Sequence, residues 1–202
     1  MKRTTPLARA VLAALTGLSF AACSGPAEDA PADAPPPPAG SQAQAPAAEG
    51  AQPQQPASPR DTAEMTAAGG RVYVDYGRPY MRGRTIFGGL VPYGQVWRTG
   101  ANEATTFVTP GDVRIGETLV PAGTYTLYTL PGEREWQLIV NRQTGQWGTE
   151  YDPAQDLARI PMRVERTAQP VDQFTISLVP GSLVMEWENT RASVPVVAAG
   201  GA

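Results

Sequence analysis

From about Pro59 onward, apolar residues fall on every second position in short runs, each soon closed by Gly or Pro, and that pattern leaves little but β-structure open. In Arg71–Tyr76 the residues Val72, Val74 and Tyr76 share one face, with Arg71, Tyr73 and Asp75 on the other. Trp136, Leu138 and Val140 share a face of Glu135–Asn141, as do Phe174, Ile176 and Leu178 of Asp172–Val179. Leu183, Met185 and Trp187 then line the next run, and Pro180-Gly181 between the two suits the centre of a type II turn, so Asp172–Glu188 is predicted as a hairpin. Thr124–Leu130 is rich in Thr, Tyr and Leu between the breakers Pro121-Ala122-Gly123 and Pro131-Gly132. Thr105–Thr109, Val113–Ile115, Leu157–Val164 and Arg191–Val196 are weaker strand patterns, and a short helix fits near Pro153–Leu157. No long amphipathic helix is visible. The expected fold is all-β: an antiparallel, jelly-roll-like β-sandwich with one long ordered Gly/Arg-rich excursion and at most a short helix.

The first 22 residues have another purpose. Lys2, Arg3 and Arg9 precede an apolar run, Ala10–Phe20, broken only by Thr16, Gly17 and Ser19; the small pair Ala21-Ala22 then meets Cys23, the one cysteine of the chain. Charge, short apolar core and small-residue cleavage site are the parts of a secretory signal. The run is too short to span a bilayer, which takes about 20 apolar residues. With the cysteine in place the segment resembles the lipobox of bacterial lipoproteins, apart from Phe20, where that class usually has Leu. The resemblance implies that Cys23 is acylated and becomes the mature N-terminus. Stable anchoring needs more than one acyl chain, which such acylation supplies. Ser24 rather than Asp after the cysteine points to the outer membrane, facing the periplasm.

Ser24–Ser58 contains only Ser, Gly, Pro, Ala, Glu, Asp and Gln. It has nothing to bury against the entropy of ordering, so a disordered tether is expected over residues 23–58. As a coil of that length it reaches on the order of 30–35 Å, and further where it is Pro-rich. Residues 59–197 are then of single-domain size, and 198–202 read as a frayed tail.

Tyr76–Thr105 departs from the alternation. Arg78, Arg82, Arg84 and Arg98 fall in it with no acidic residue between Asp75 and Glu103, and its Ile86, Phe87, Leu90, Val91 and Trp97 predict an ordered, packed segment. Its motifs Arg78-Pro79, Gly83-Arg84, Ile86-Phe87-Gly88, Leu90-Val91-Pro92-Tyr93 and Trp97-Arg98-Thr99-Gly100-Ala101-Asn102-Glu103 resemble a bacterial family, the domain of unknown function 2911. Pro121-Ala122-Gly123-Thr124-Tyr125, Trp147-Gly148 and Trp187-Glu188 extend the resemblance over about 58–196, with Gly77 where Ser is common. No activity is established for that family, so the resemblance implies no catalytic residues.

Two readings of the excursion stand side by side. In one, Arg78, Arg82, Arg84, Trp97, Arg98, Asn102 and Glu103 form a ligand-binding surface: guanidinium forks suit carboxylate or phosphate, Trp97 offers a stacking face, and Asn102 and Glu103 take hydroxyls. Arg78, Trp97, Arg98 and Asn102 should then converge on one concave patch. In the other, Trp97 plugs the core and an Arg98–Glu103 pair pins the loop. Trp187, Glu188 and Asn189 are read as a strand end leading into a turn.

Chemistry is narrowed by what the chain lacks. It has no histidine, which removes Ser-His-Asp triads, His-based acid–base catalysis and His-rich zinc sites. Cys23, if acylated, is no nucleophile. The net charge of −3, with Lys2 the only lysine, offers nothing to nucleic acid. Asp75, Glu103, Glu150, Asp152, Glu186 and Glu188 are available to a two-carboxylate glycosidase, but no spacing selects a pair. Asp152 and Asp156 lack the spacing of a calcium loop and are read as turn or cap residues. No metal or cofactor is expected. The expectation is a non-catalytic module tethered to the membrane through lipid on Cys23, binding a glycan, a small anionic ligand or an envelope protein. The alternatives are a carboxylate-dependent hydrolase of a periplasmic polysaccharide and a purely structural envelope protein.

Overall fold

The computed structural model describes residues 58–200. The signal segment, Cys23 and the tether before Ser58 lie outside the described residues. Nine strands follow in order: β1 Arg60–Ala67, β2 Gly70–Gly77, β3 Thr105–Thr109, β4 Val113–Ile115, β5 Thr118–Val120, β6 Gly123–Leu130, β7 Trp136–Asn141, β8 Asp156–Val179 and β9 Ser182–Ala198. All pairings are antiparallel, and they join into one sheet in the order β1-β2-β3-β6-β7-β8-β9-β4-β5. The fold is therefore all-β, as the alternation predicts. The strands form one open sheet that bends, not two separately bonded sheets.

The bend lies in the long hairpin. Residues 156–162 of β8 pair with β7, while residues 163–179 pair with β9. Register shifts between Arg166 and Val171 and between Val171 and Thr175 turn the strand, with Pro170 inside the irregular stretch. Pro180-Gly181 closes the hairpin, Gly181 at φ 79°. Weak patterns at Leu157–Val164 and Arg191–Val196 are thus parts of two long strands. β9 also runs through Trp187-Glu188-Asn189, where a strand end was expected. It continues to Ala198, and the Ala199 N–H donates to the Asp112 carbonyl, so residues 198–199 are not frayed. The helix near Pro153 is a single 3-10 turn, Pro153–Gln155, capped by the Asp152 carboxylate.

The inner face is the alternating one. Val72, Val74 and Tyr76 of β2 meet Phe174, Ile176 and Leu178 of β8 and Leu183, Met185 and Trp187 of β9 in a single cluster. Tyr76 also ties β2 to β8 through its polar end. Its hydroxyl donates to the Ile176 carbonyl (3.2 Å) and accepts from the Ile176 N–H (2.8 Å). Next to it, the Phe174 N–H donates to the Pro79 carbonyl and the Met81 N–H to the Asp172 carbonyl. A phenol and a short bridge thus satisfy the edge of β8 that has no strand beside it.

β6 is buried on both faces. Tyr125 and Leu127 point to the core, while Thr126 and Tyr128 are covered by the 143–151 loop: the Thr126 hydroxyl donates to the Gln143 carbonyl (2.7 Å) and the Tyr128 hydroxyl to the Glu150 carbonyl (2.9 Å). Burial holds the hydroxyls of Tyr76, Tyr125 and Tyr128 above the ordinary tyrosine range. Tyr151 is pushed up to about 12 by burial and by its hydrogen bond to Asp156. Below about pH 10 both folded and unfolded chains keep these protons. Above it the unfolded chain releases them first, so the native state binds more protons and stability falls as pH rises from about 10 towards 12. Melting temperatures followed across that window should drop steeply, and less steeply in Tyr151→Phe; an identical decline in that variant would contradict the assignment.

Candidate functional site

The Gly77–Thr105 connection is built by local turns that expose some polar side chains and spend others. The Val91 N–H donates to the Ile86 carbonyl (2.8 Å) and the Gly88 N–H to the Val91 carbonyl (2.9 Å), which pushes Ile86, Phe87 and Val91 inward and leaves Leu90 47% exposed. Leu90 is therefore not packed, as the sequence suggested, but stands on a rim. Farther on, Trp97 exchanges both backbone hydrogen bonds with Thr129 of β6, at 2.8 and 2.9 Å. That bridge fixes the indole over the core. Its ring stacks on Trp187 (5.7 Å between centroids, 19° between planes) and meets Phe174 and Phe87 edge-on. Trp97 is half-buried, one face spent on packing.

Above this aromatic floor lies a depression of about 270 Å³. Arg84, Leu90, Trp97, Arg98 and Asn102 line it, with Trp187 at its base. Arg98 is half-buried, and its one hydrogen bond among the described residues runs from Nε to the Gly100 carbonyl (3.3 Å). Arg84 donates from Nε and Nη2 to the carbonyls of Met81 and Tyr80. Neither guanidinium meets a carboxylate among the described residues, and no carboxylate lines the depression. Two guanidinium-bearing residues without counter-charge and an indole line one depression, a set suited to an anion.

The other residues singled out in the sequence lie elsewhere. Arg78 does not join the patch: it pairs with Asp61 (2.8 Å) and donates to Thr175 (2.9 Å) and the Phe174 carbonyl (3.2 Å), tying β1 and β2 to β8. Glu103 pairs with Arg60 (3.0 Å), which also binds Asp75, so the expected Arg98–Glu103 pair does not form. Arg82 is exposed in a turn at φ 50° and does not line the depression. The turn through Thr99–Ala101 rides so close to β2 that a side chain at Gly77 would run into the Ala101 carbonyl. The Gly at that position is therefore a packing requirement of this chain.

Several other carboxylates have partners too. Glu186 pairs with Arg191 (3.2 Å), and Glu188 accepts the Phe87 N–H (3.3 Å). Asp156 accepts from Tyr151 (2.6 Å), Arg159 and Asn141, while Asp152 caps the 3-10 turn. Among the described residues no three acidic side chains gather as a metal site would require.

Trp187 is the member of the depression that sequence reasoning set aside. Its strand alternation marked it as core, and only the fold shows that its partner in stacking is Trp97. Among known proteins, a family model described as "Protein of unknown function (DUF2911)" matches residues 58–196. No curated protein and no solved structure matches the chain.

Proposed function

This chain belongs to the DUF2911 family, and on that footing we propose that it is an exported, lipid-anchored envelope protein whose β-domain binds a polar envelope component without catalysis. The observation that carries the binding reading is Arg98: a half-buried guanidinium with no carboxylate partner among the described residues, beside the exposed part of Trp97. Burying an uncompensated charge is costly, and a complementary ligand relieves that cost. The anchoring reading is supported by Cys23 at the end of a charged, short apolar leader. No carboxylate lines the depression, so it offers nothing to a two-carboxylate hydrolase.

The test uses the mature chain with Cys23→Ser, titrated against a panel of acidic and neutral saccharides and isolated envelope polysaccharides. An acidic saccharide is expected to bind, and Trp97→Ala to lose that binding. Equal binding by Trp97→Ala, or no binding by the parent chain, overturns the reading. Anchoring is checked separately by incorporation of an alkyne-labelled fatty acid in a bacterial host, expected in the parent chain and absent in Cys23→Ser.

A further inference from the structure

Arg98 stands between two hollows. Trp97 and Arg98 also line a second one, of about 170 Å³, with Tyr128, Thr149 and Tyr151 on its far wall. The Arg98 stem is held there by Gly148: a Cβ at that residue would lie 2.6 Å from Arg98 Cδ and equally close to the Asn102 carbonyl, so only glycine lets the chain pass. The Gly148 N–H donates to that same carbonyl (3.0 Å), locking the 147–149 loop to the Asn102 turn. The Arg98 stem thus packs on Gly148, and the residue lines both hollows.

The two hollows differ in chemistry. The first is lined by Arg84, Arg98 and the indole of Trp97; at about 270 Å³ it falls just below the roughly 300 Å³ at which small-molecule pockets begin, so it suits a single ring. In the second, the rings of Tyr128 and Tyr151 meet edge-on (4.8 Å between centroids). Both of their hydroxyls are already engaged, with the Glu150 carbonyl and with Asp156. That wall offers aromatic surface and the exposed Thr149 hydroxyl, and no charge. Neither lining contains a carboxylate that would repel an anion.

We propose that the two hollows are adjoining subsites for an acidic glycan segment two sugar units long. Arg98 takes the carboxylate at the junction, one ring lies over Trp97, and the next lies against Tyr151 and Thr149. The inference rests on the binding reading above and names its ligand class. A uronic acid matches the first hollow part by part: its carboxylate accepts the guanidinium fork, its apolar ring face stacks on an indole, and its hydroxyls reach Asn102.

The experiment titrates the mature Cys23→Ser chain with glucuronic acid, a glucuronate-containing disaccharide and cellobiose, a neutral disaccharide, using calorimetry. The acidic disaccharide is expected to bind about tenfold more tightly than the acidic monosaccharide, with cellobiose far weaker than either. Thr149→Trp, a change at an exposed position that fills the second hollow, should erase the tenfold gain of the acidic disaccharide over glucuronic acid. Equal affinity for the two acids, or a gain that survives Thr149→Trp, overturns the two-subsite arrangement alone. Failure of both acids to bind overturns it together with the reading on which it rests.

Discussion

Replacing Arg98 with Ala is expected to weaken binding of an acidic saccharide by roughly 10- to 100-fold, the worth of a charge-assisted hydrogen bond of about 1.5–3 kcal/mol. The same change should shift stability little. Arg98 makes one hydrogen bond, to the Gly100 carbonyl, and no ion pair among the described residues. Arg78→Ala is the matching control with the opposite outcome. That guanidinium joins Asp61, Thr175 and the Phe174 carbonyl and does not line the depression, so its loss should lower the melting temperature and leave affinity intact. Arg98→Lys should recover only part of the affinity, because an ammonium keeps the charge without the planar fork. If Arg98→Ala binds as the parent does, Arg98 is not the anion's partner.

Tyr76→Phe is expected to cost about 2–4 kcal/mol of folding stability, although it removes one oxygen. The hydroxyl serves both the N–H and the carbonyl of Ile176 in a buried position, and each group left without a partner costs roughly 1–3 kcal/mol. For a domain of this size that is a fall of roughly 5–15 °C in melting temperature. The effect should be local as well. Amide exchange at Ile176 should quicken in the variant more than at Leu138 in the middle of the sheet. A melting temperature unchanged by Tyr76→Phe would mean that the edge of β8 is satisfied without the phenol.

Period-two alternation made the strands legible wherever both faces differ in burial, as at Val72–Tyr76 and Phe174–Leu178. It was silent for β1, whose sequence RDTAEMTA puts only Ala63, Met65 and Ala67 towards the core and leaves its polar side chains exposed. That omission had consequences for the site. Asp61 and Arg60, the partners of Arg78 and Glu103, both sit on β1, so those two residues looked free until the strand was in place. Leu157–Val164 and Asp172–Val179, separate patterns in the sequence, are one strand in the fold, and Pro170 lies between them. In the fold Pro170 sits in an irregular stretch that tolerates a missing N–H. Within the excursion, Trp97, Arg98 and Asn102 were recognisable by residue type and proximity. The role of Gly148, known only as part of a shared motif, was not, because its contact with the Arg98 stem joins segments far apart in the chain.

The near-parallel stack of Trp97 on Trp187 has an optical consequence. Two indoles 5.7 Å apart share their electronic transitions, and only Trp97 and Trp187 line the depression, while Trp136 is buried and Trp147 is 48% exposed. Near-ultraviolet circular dichroism should therefore carry an exciton signature that vanishes in Trp187→Phe and changes when a ligand lands on Trp97. Iodide quenching should act first on Trp147. The domain thus contains its own spectroscopic reporter, and occupancy of the depression is readable without any label.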